Sequence, residues 1–119
     1  MNLAIVGSRH FTNNVQFEKY VDMWITENGN PQMIVTGCAK GTDHLAREYA
    51  KKYNIDLKVY KADWKMYGKA AGPLRNAEII NNSTHVLAFP SNTGKGTQDT
   101  LKKAIKAKLS QTVYFIEEL

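Results

Sequence analysis

Leu3-Ala4-Ile5-Val6-Gly7 is a run of four apolar residues without alternation, closed by a glycine. A strand with one wet face alternates apolar and polar residues. An unbroken run reads as a strand buried on both faces, the mark of a parallel sheet. The period then changes. Phe17, Tyr20, Val21, Trp24 and Ile25 recur at helical spacing, and Asn28-Gly29-Asn30-Pro31 stops that helix. Met33-Ile34-Val35 reads as a second buried strand, ending at Thr36-Gly37. Leu45, Ala46, Tyr49, Ala50 and Tyr53 form a second helical stripe, and Leu57-Lys58-Val59-Tyr60 a third strand.

Beyond Tyr60 the rhythm breaks. Lys61 to Gly72 reads as a loop of about a dozen residues, long for a compact domain and therefore a functional suspect. Pro73 is expected at the first position of a third helix that runs to about Asn82. His85-Val86-Leu87-Ala88-Phe89 is a fourth strand closed by Pro90, and Ser91 to Gly96 a second loop. Thr97 is expected to cap a fourth helix, with Asp99 in its first turn and lysines towards its end, an order that suits the helix dipole. Thr112 to Ile116 is a last strand. Strands alternating with helices predict a single α/β domain over residues 1–119. It has three layers: a five-stranded parallel sheet with helices on both faces. Right-handed crossovers and a reversal of winding place a ligand crevice outside the carboxyl ends of the strands.

With 119 residues the chain can hold one ordinary core. Hydrophobic residues at 43% and charged residues at 23% exclude a disordered class. No apolar run reaches the roughly 18 residues of a membrane span, so no membrane partner is expected. The N-terminal stretch lacks the pattern of a signal peptide. Cys38 is the single cysteine, so no internal disulfide forms, and the cytoplasm is the expected location. The net charge of +5 favours an anionic partner without choosing among nucleotide, nucleic acid and solvated surface.

The strand-to-helix loops hold the unusual residues. They are Gly7, Ser8 and Arg9; then Gly37, Cys38, Lys40, Gly41 and Asp43; then Asp63, Trp64, Gly72, Arg75 and Asn76; then Pro90, Gly94, Lys95, Gly96 and Thr97. In a parallel sheet all four loops share one edge. Three helices start there, each offering free N–H groups and roughly half a positive charge. Glycines let backbone approach a ligand closely. Arg9, Lys40, Arg75 and Lys95 add full charges. This convergence suits a phosphate or pyrophosphate, and Trp64 and Tyr67 offer rings for a base. Neither G-x-G-x-x-G nor G-x-x-x-x-G-K-[ST] is present.

Plainer readings stand beside these. Any one glycine here serves as a turn residue. Lys102, Lys103 and Lys106 form the solvated face of the last helix, and Trp24 belongs to the core stripe. Trp64 either lines a pocket or plugs the core. Cys38 reads as a small packed residue rather than an activated thiol. Asp43 reads as a cap of the second helix or as a ligand contact, and Asp63 as a neutraliser of Lys61 and Lys65. His10, His44 and His85 have no metal-ligand spacing, so no metal is assigned. No catalytic residue is assigned either.

Several segments resemble one family: Val6 to Arg9, Val35 to Asp43, Ala62-Asp63-Trp64-Lys65, Gly68 to Asn76, and Phe89-Pro90 with Gly94 to Thr97. They are similar to the YspA-related group of the SLOG superfamily, small Rossmann-like domains. The likeness spans nearly the whole chain. Its second loop usually reads Gly-Gly-Ala-Arg-Gly-Ala-Asp; here Cys38 replaces a glycine and Lys40 an arginine. The resemblance implies the strand order 3-2-1-4-5, a nucleotide-derived ligand and a homodimer. The superfamily includes sensors in bacterial and phage conflict systems. It also includes the cytokinin-activating phosphoribohydrolases, whose motif resembles P-G-G-x-G-T-x-x-E; the glutamate position falls here on Thr100, with Asp99 one residue early. Gly7-Ser8-Arg9 and the loop from Thr36 to Asp43 also resemble DprA, which binds single-stranded DNA.

The expected function is therefore binding or sensing of a nucleotide-derived, phosphate-bearing ligand, ADP-ribose-like or a nucleoside phosphate, with no required cofactor. The alternatives are a nucleotide hydrolase of phosphoribohydrolase type and a single-stranded nucleic-acid binder of DprA type.

Overall fold

The computed structural model describes residues 1–91 and 96–116. Its strands are β1 (Asn2–Gly7), β2 (Met33–Gly37), β3 (Asp56–Tyr60), β4 (His85–Phe89) and β5 (Ser110–Val113). Its α-helices are α1 (Asn14–Asn28), α2 (Thr42–Lys52), α3 (Trp64–Tyr67), α4 (Ala71–Asn81) and α5 (Gly96–Lys106). A 3₁₀ turn, Gly68–Ala70, joins α3 to α4.

All five strands run parallel in the order β3-β2-β1-β4-β5, as expected. Leu3 lies between Ile34 and His85, and Gly7 lies opposite Phe89. The winding reverses between β1 and β4. Each inner strand sends alternate side chains to opposite faces. Leu3, Ile5, Ile34, Leu87 and Phe89 pack with Phe17, Val21 and Trp24 of α1 and Leu45, Ala46 and Tyr49 of α2. Ala4, Val6, Val35, Val86 and Ala88 pack with Ile79 and Ile80 of α4 and Ala104 of α5. Large residues thus face α1 and α2, and small ones face α4 and α5. Phe17 and Phe89 are fully buried and their rings stand 5.3 Å apart. Burying each such side chain contributes roughly 1.5–3 kcal/mol. Trp24 is core, as its stripe predicts.

Four expectations need correction. The segment Lys61 to Gly72 is not a loop throughout: Asp63 accepts a hydrogen bond from Met66 N at 3.0 Å and so caps α3. That cap, not neutralisation of Lys61 and Lys65, is what the structure gives Asp63. Secondly, α4 begins at Ala71, so Pro73 is its third residue rather than its first. Proline is tolerated there because first-turn N–H groups have no partner within the helix. Thirdly, Thr97 is the second residue of α5, not its cap, and is 7% exposed. Fourthly, β5 starts at Ser110 and ends at Val113, earlier than its apolar run suggests. Chain contacts with the fourth strand continue irregularly, through Tyr114 N to Ala88 O and Ile116 N to Pro90 O. The outer strands β3 and β5 are half-exposed, because each has one sheet neighbour.

Candidate functional site

The loop after β1 docks onto the start of α2. Ser8 O accepts from Thr42 N at 3.0 Å and from Thr42 Oγ1 at 2.9 Å, and Ser8 N donates to Phe89 O at 2.9 Å. Gly41 makes this approach feasible. Its φ is +70°, and a Cβ there would lie 2.5 Å from both Ser8 O and Arg9 O. Gly7 is similarly tight, with Phe89 O and Thr42 Oγ1 each 2.6 Å from the position of a Cβ. These two glycines therefore join the first two loops to each other. The first N–H of α2 is occupied by Ser8, which removes one of the donors that a free helix start would offer an anion.

The loop after β2 is braced from within. Asp43, 7% exposed, accepts from Ala39 N at 3.2 Å through Oδ2. Its Oδ1 lies 3.1 Å from the Thr36 hydroxyl, which also lies 2.7 Å from Ile5 O. Arg47 Nη1 donates to Gly37 O and to Ala39 O, both at 3.0 Å. Asp43 therefore does not cap α2, whose N-cap is Gly41 without a side-chain hydrogen bond. Burial pushes the Asp43 carboxyl above its usual range. The Ala39 N–H, Arg75, Thr36 and Arg47 pull the other way without cancelling that effect.

Arg75 reaches the same place from α4. A Cβ on Gly37 would stand 2.5 Å from Asp43 Oδ2 and 2.8 Å from Arg75 Nη1. Gly37 is thus a site of close approach where two side-chain ends converge on one stretch of backbone. Arg75 Nε donates to Asn76 Oδ1 at 2.9 Å, and Asn76 Nδ2 donates to Asp99 Oδ2 at 3.0 Å. Lys103 Nζ closes the chain on Asp99 at 2.7 Å. Burial alone would raise the Asp99 pKa, but Lys103 and Asn76 outweigh it and hold the carboxylate low. Among the described residues the Arg75 Nη groups donate no hydrogen bond, although the side chain is half-buried.

Trp64 settles the choice left open by its position. It is 60% exposed and does not plug the core. Its Cη2 lies 3.3 Å from where a Cβ of Gly72 would stand, so its ring covers the start of α4. Gly72 and Arg75 are three residues apart on α4 and therefore neighbours on one helix face. Tyr67 is 51% exposed, and neither ring stacks on another among the described residues.

The fold thus brings Gly7, Ser8, Gly37, Gly41, Asp43, Gly72, Arg75 and Asn76 to one edge. Arg9 and Lys40 are exposed there, Pro90 is buried, and Gly96 and Thr97 open α5. Gly94 and Lys95 lie outside the described residues. Cys38 is exposed rather than packed. Thr100 is 2% exposed, and its hydroxyl lies 3.4 Å from Gly96 O. Sequence reasoning missed the bracing roles of Thr36 and Arg47. Arg47 carries a signal, since it follows Asp43 by four residues and shares its helix face. Among the described residues no group of three or more His, Cys, Asp or Glu is placed to hold a metal, and no helix is long and apolar enough to cross a membrane. A concavity of about 690 Å³ lies at the opposite edge of the sheet, beside Asp22, Tyr49 and Asp56, away from these loops.

A parallel sheet wound in two directions, with its glycine-rich loops and Arg75 at the carboxyl edge, defines a Rossmann-like α/β domain. Residues 1–67 match the YAcAr family, described as the YspA, cpYpsA-related SLOG family, and the chain belongs to it. The chain is also similar to the Gene 61 protein of Mycobacterium phage D29, with 36% identity over 81 residues. That stretch is 63% of this chain and spans about 65% of the length of the phage protein.

Proposed function

We propose that the chain binds a nucleotide-derived, phosphate-bearing ligand, of ADP-ribose or nucleoside phosphate type, at the carboxyl edge of its sheet, as a binding or sensing module. One observation carries this reading. Arg75 holds a half-buried guanidinium beside the Gly37 backbone with its Nη groups unbonded among the described residues. A guanidinium presents a planar fork matched to phosphate oxygens. Trp64 of α3 lies against Gly72, one turn before Arg75 on α4, and offers an open ring for a base. Family membership agrees with a nucleotide-related role.

The helix starts contribute less than the sequence suggests. Ser8 occupies the first N–H of α2, and α3 with its 3₁₀ turn runs directly into α4. Arg75 is therefore the centre of the reading. Hydrolysis of phosphoribohydrolase type gains no support from position 100, where a buried threonine stands in place of a glutamate. The single, exposed Cys38 suits a reducing cytoplasm.

Thermal melting against AMP, ADP, ADP-ribose and NAD tests the reading. At ligand concentrations about 100 times Kd, stabilisation of about 2.7 kcal/mol is expected. It should be absent in Arg75→Ala. A flat response to every phosphorylated compound removes the proposal.

A further inference from the structure

Three charges meet at the carboxyl end of β2. Arg75 approaches from α4 and Arg47 from α2, and these are the two cations that act on Asp43. Arg47 is turned to the carbonyls of Gly37 and Ala39. Asp43 and Arg75 converge on the same point beside Gly37 without forming an ion pair. The other groups facing Asp43 are neutral: the Thr36 hydroxyl and the Ala39 N–H. Lys40 and Arg9 are exposed, and water and salt screen them. Two guanidinium groups and one buried carboxylate thus leave this cluster a single net positive charge.

We propose that this site selects monoanionic phosphate groups, meaning phosphodiesters and the bridging phosphates of a pyrophosphate, over the dianion of a terminal phosphomonoester, and that Asp43 sets that choice. The proposal rests on the reading of Arg75 as the phosphate contact. A monoanion matches that single net charge. The second charge of a dianion meets, beyond that net charge, exposed and screened cations such as Arg9 and Lys40, and it faces the Asp43 carboxylate in a partly dehydrated site. A phosphomonoester loses its second proton near pH 6. Above that pH it is held only if a proton is taken up, by the phosphate or by Asp43. Its affinity therefore falls as pH rises, while that of a phosphodiester does not.

Two probe pairs test this by calorimetry and by amide shifts at Gly37 and Arg75. One pair is adenosine 5′-monophosphate and its phosphate methyl ester; the other is methyl phosphate and dimethyl phosphate. In each pair the members differ by one methyl group and one ionisable proton. At about pH 8 the ester is expected to bind at least about tenfold more tightly than the monoester, and at about pH 5.5 the gap should close. Asp43→Asn should close it at both values. Asparagine can still accept from Ala39 N and donate to Thr36 Oγ1, and the pH comparison in the unaltered protein stands without the variant. Equal affinities at pH 8, or a gap that survives Asp43→Asn, overturn the proposal. If only the methyl phosphates bind, with the expected order, charge selection holds and the nucleotide reading fails. If no probe binds, both fall.

Discussion

Asp43 Oδ2 and Arg75 Nη1 lie 2.5 Å and 2.8 Å from the point where a Cβ of residue 37 would stand. The two side chains come from helices on opposite faces of the sheet, α2 and α4. They meet because residue 37 is glycine at the end of a strand lying between those helices. The relation makes residue 37 a probe of the whole site.

Gly37→Ala is therefore expected to displace Arg75 or Asp43, both of which end in side-chain atoms that can move. The cost should be about 1–3 kcal/mol of stability, with loss of ligand-induced stabilisation. Urea denaturation with and without ADP-ribose measures both. A variant as stable as the parent that still responds to ligand would show that the convergence has no consequence.

Gly41→Ala should cost more, about 3 kcal/mol or above, since a positive φ and immovable backbone at Ser8 and Arg9 act together. Its readout is the denaturation midpoint. A change below about 1 kcal/mol would contradict the described docking of the first loop on α2.

Asp43→Asn should raise the melting temperature near pH 7. The folded state raises the Asp43 pKa through burial, so the native chain binds that proton more tightly than the unfolded chain. The resulting stability is fully present below the unfolded pKa and is lost as pH rises through the folded one. The advantage of the variant should accordingly vanish on acidification below about pH 4. Melting curves across pH read this directly, and a gain that persists in acid would point to another cause.

Asp99→Ala removes the acceptor that holds Asn76, and with it the support behind Arg75 Nε. A loss of about 1 kcal/mol is expected, mostly from the hydrogen bond, because the half-exposed pair with Lys103 adds little. The Asp99 pKa is lowered, so this contribution is present above the usual carboxylate range and lost as pH falls through the folded value. Parent and variant should therefore converge in acid.

Trp64→Ala should leave stability almost unchanged, since the ring is 60% exposed. Binding of a nucleotide should weaken by about 1–3 kcal/mol, the worth of stacking one base. Binding of dimethyl phosphate should be unaffected. Equal weakening for both ligands would mean that Trp64 shapes the Arg75 contact rather than stacking a base.

The order of elements, the parallel sheet and the edge where the loops gather were legible in the sequence. The reason is that hydrophobic period is local: Leu3 to Val6 declare burial on both faces before any partner is known. The helices at Phe17 to Ile25 and Leu45 to Tyr53 were equally plain, because their stripes are set by covalent spacing. The short α3 was hidden, since four residues carry no period and only the Asp63 cap marks it. Thr97 was misread as a cap because its residue type suits that position, whereas it is buried as the second residue of α5. What only the tertiary structure decided is which groups at the edge are already occupied. Ser8 takes the first N–H of α2, Asp43 turns back to Thr36 and Ala39, and Arg75 is left facing Gly37. The Asp43–Arg75, Ser8–Thr42 and Gly37–Arg75 relations join residues 32 to 38 positions apart. Contacts at such separations depend on how the sheet orders its strands and on the space a missing Cβ leaves, and neither is written in local pattern.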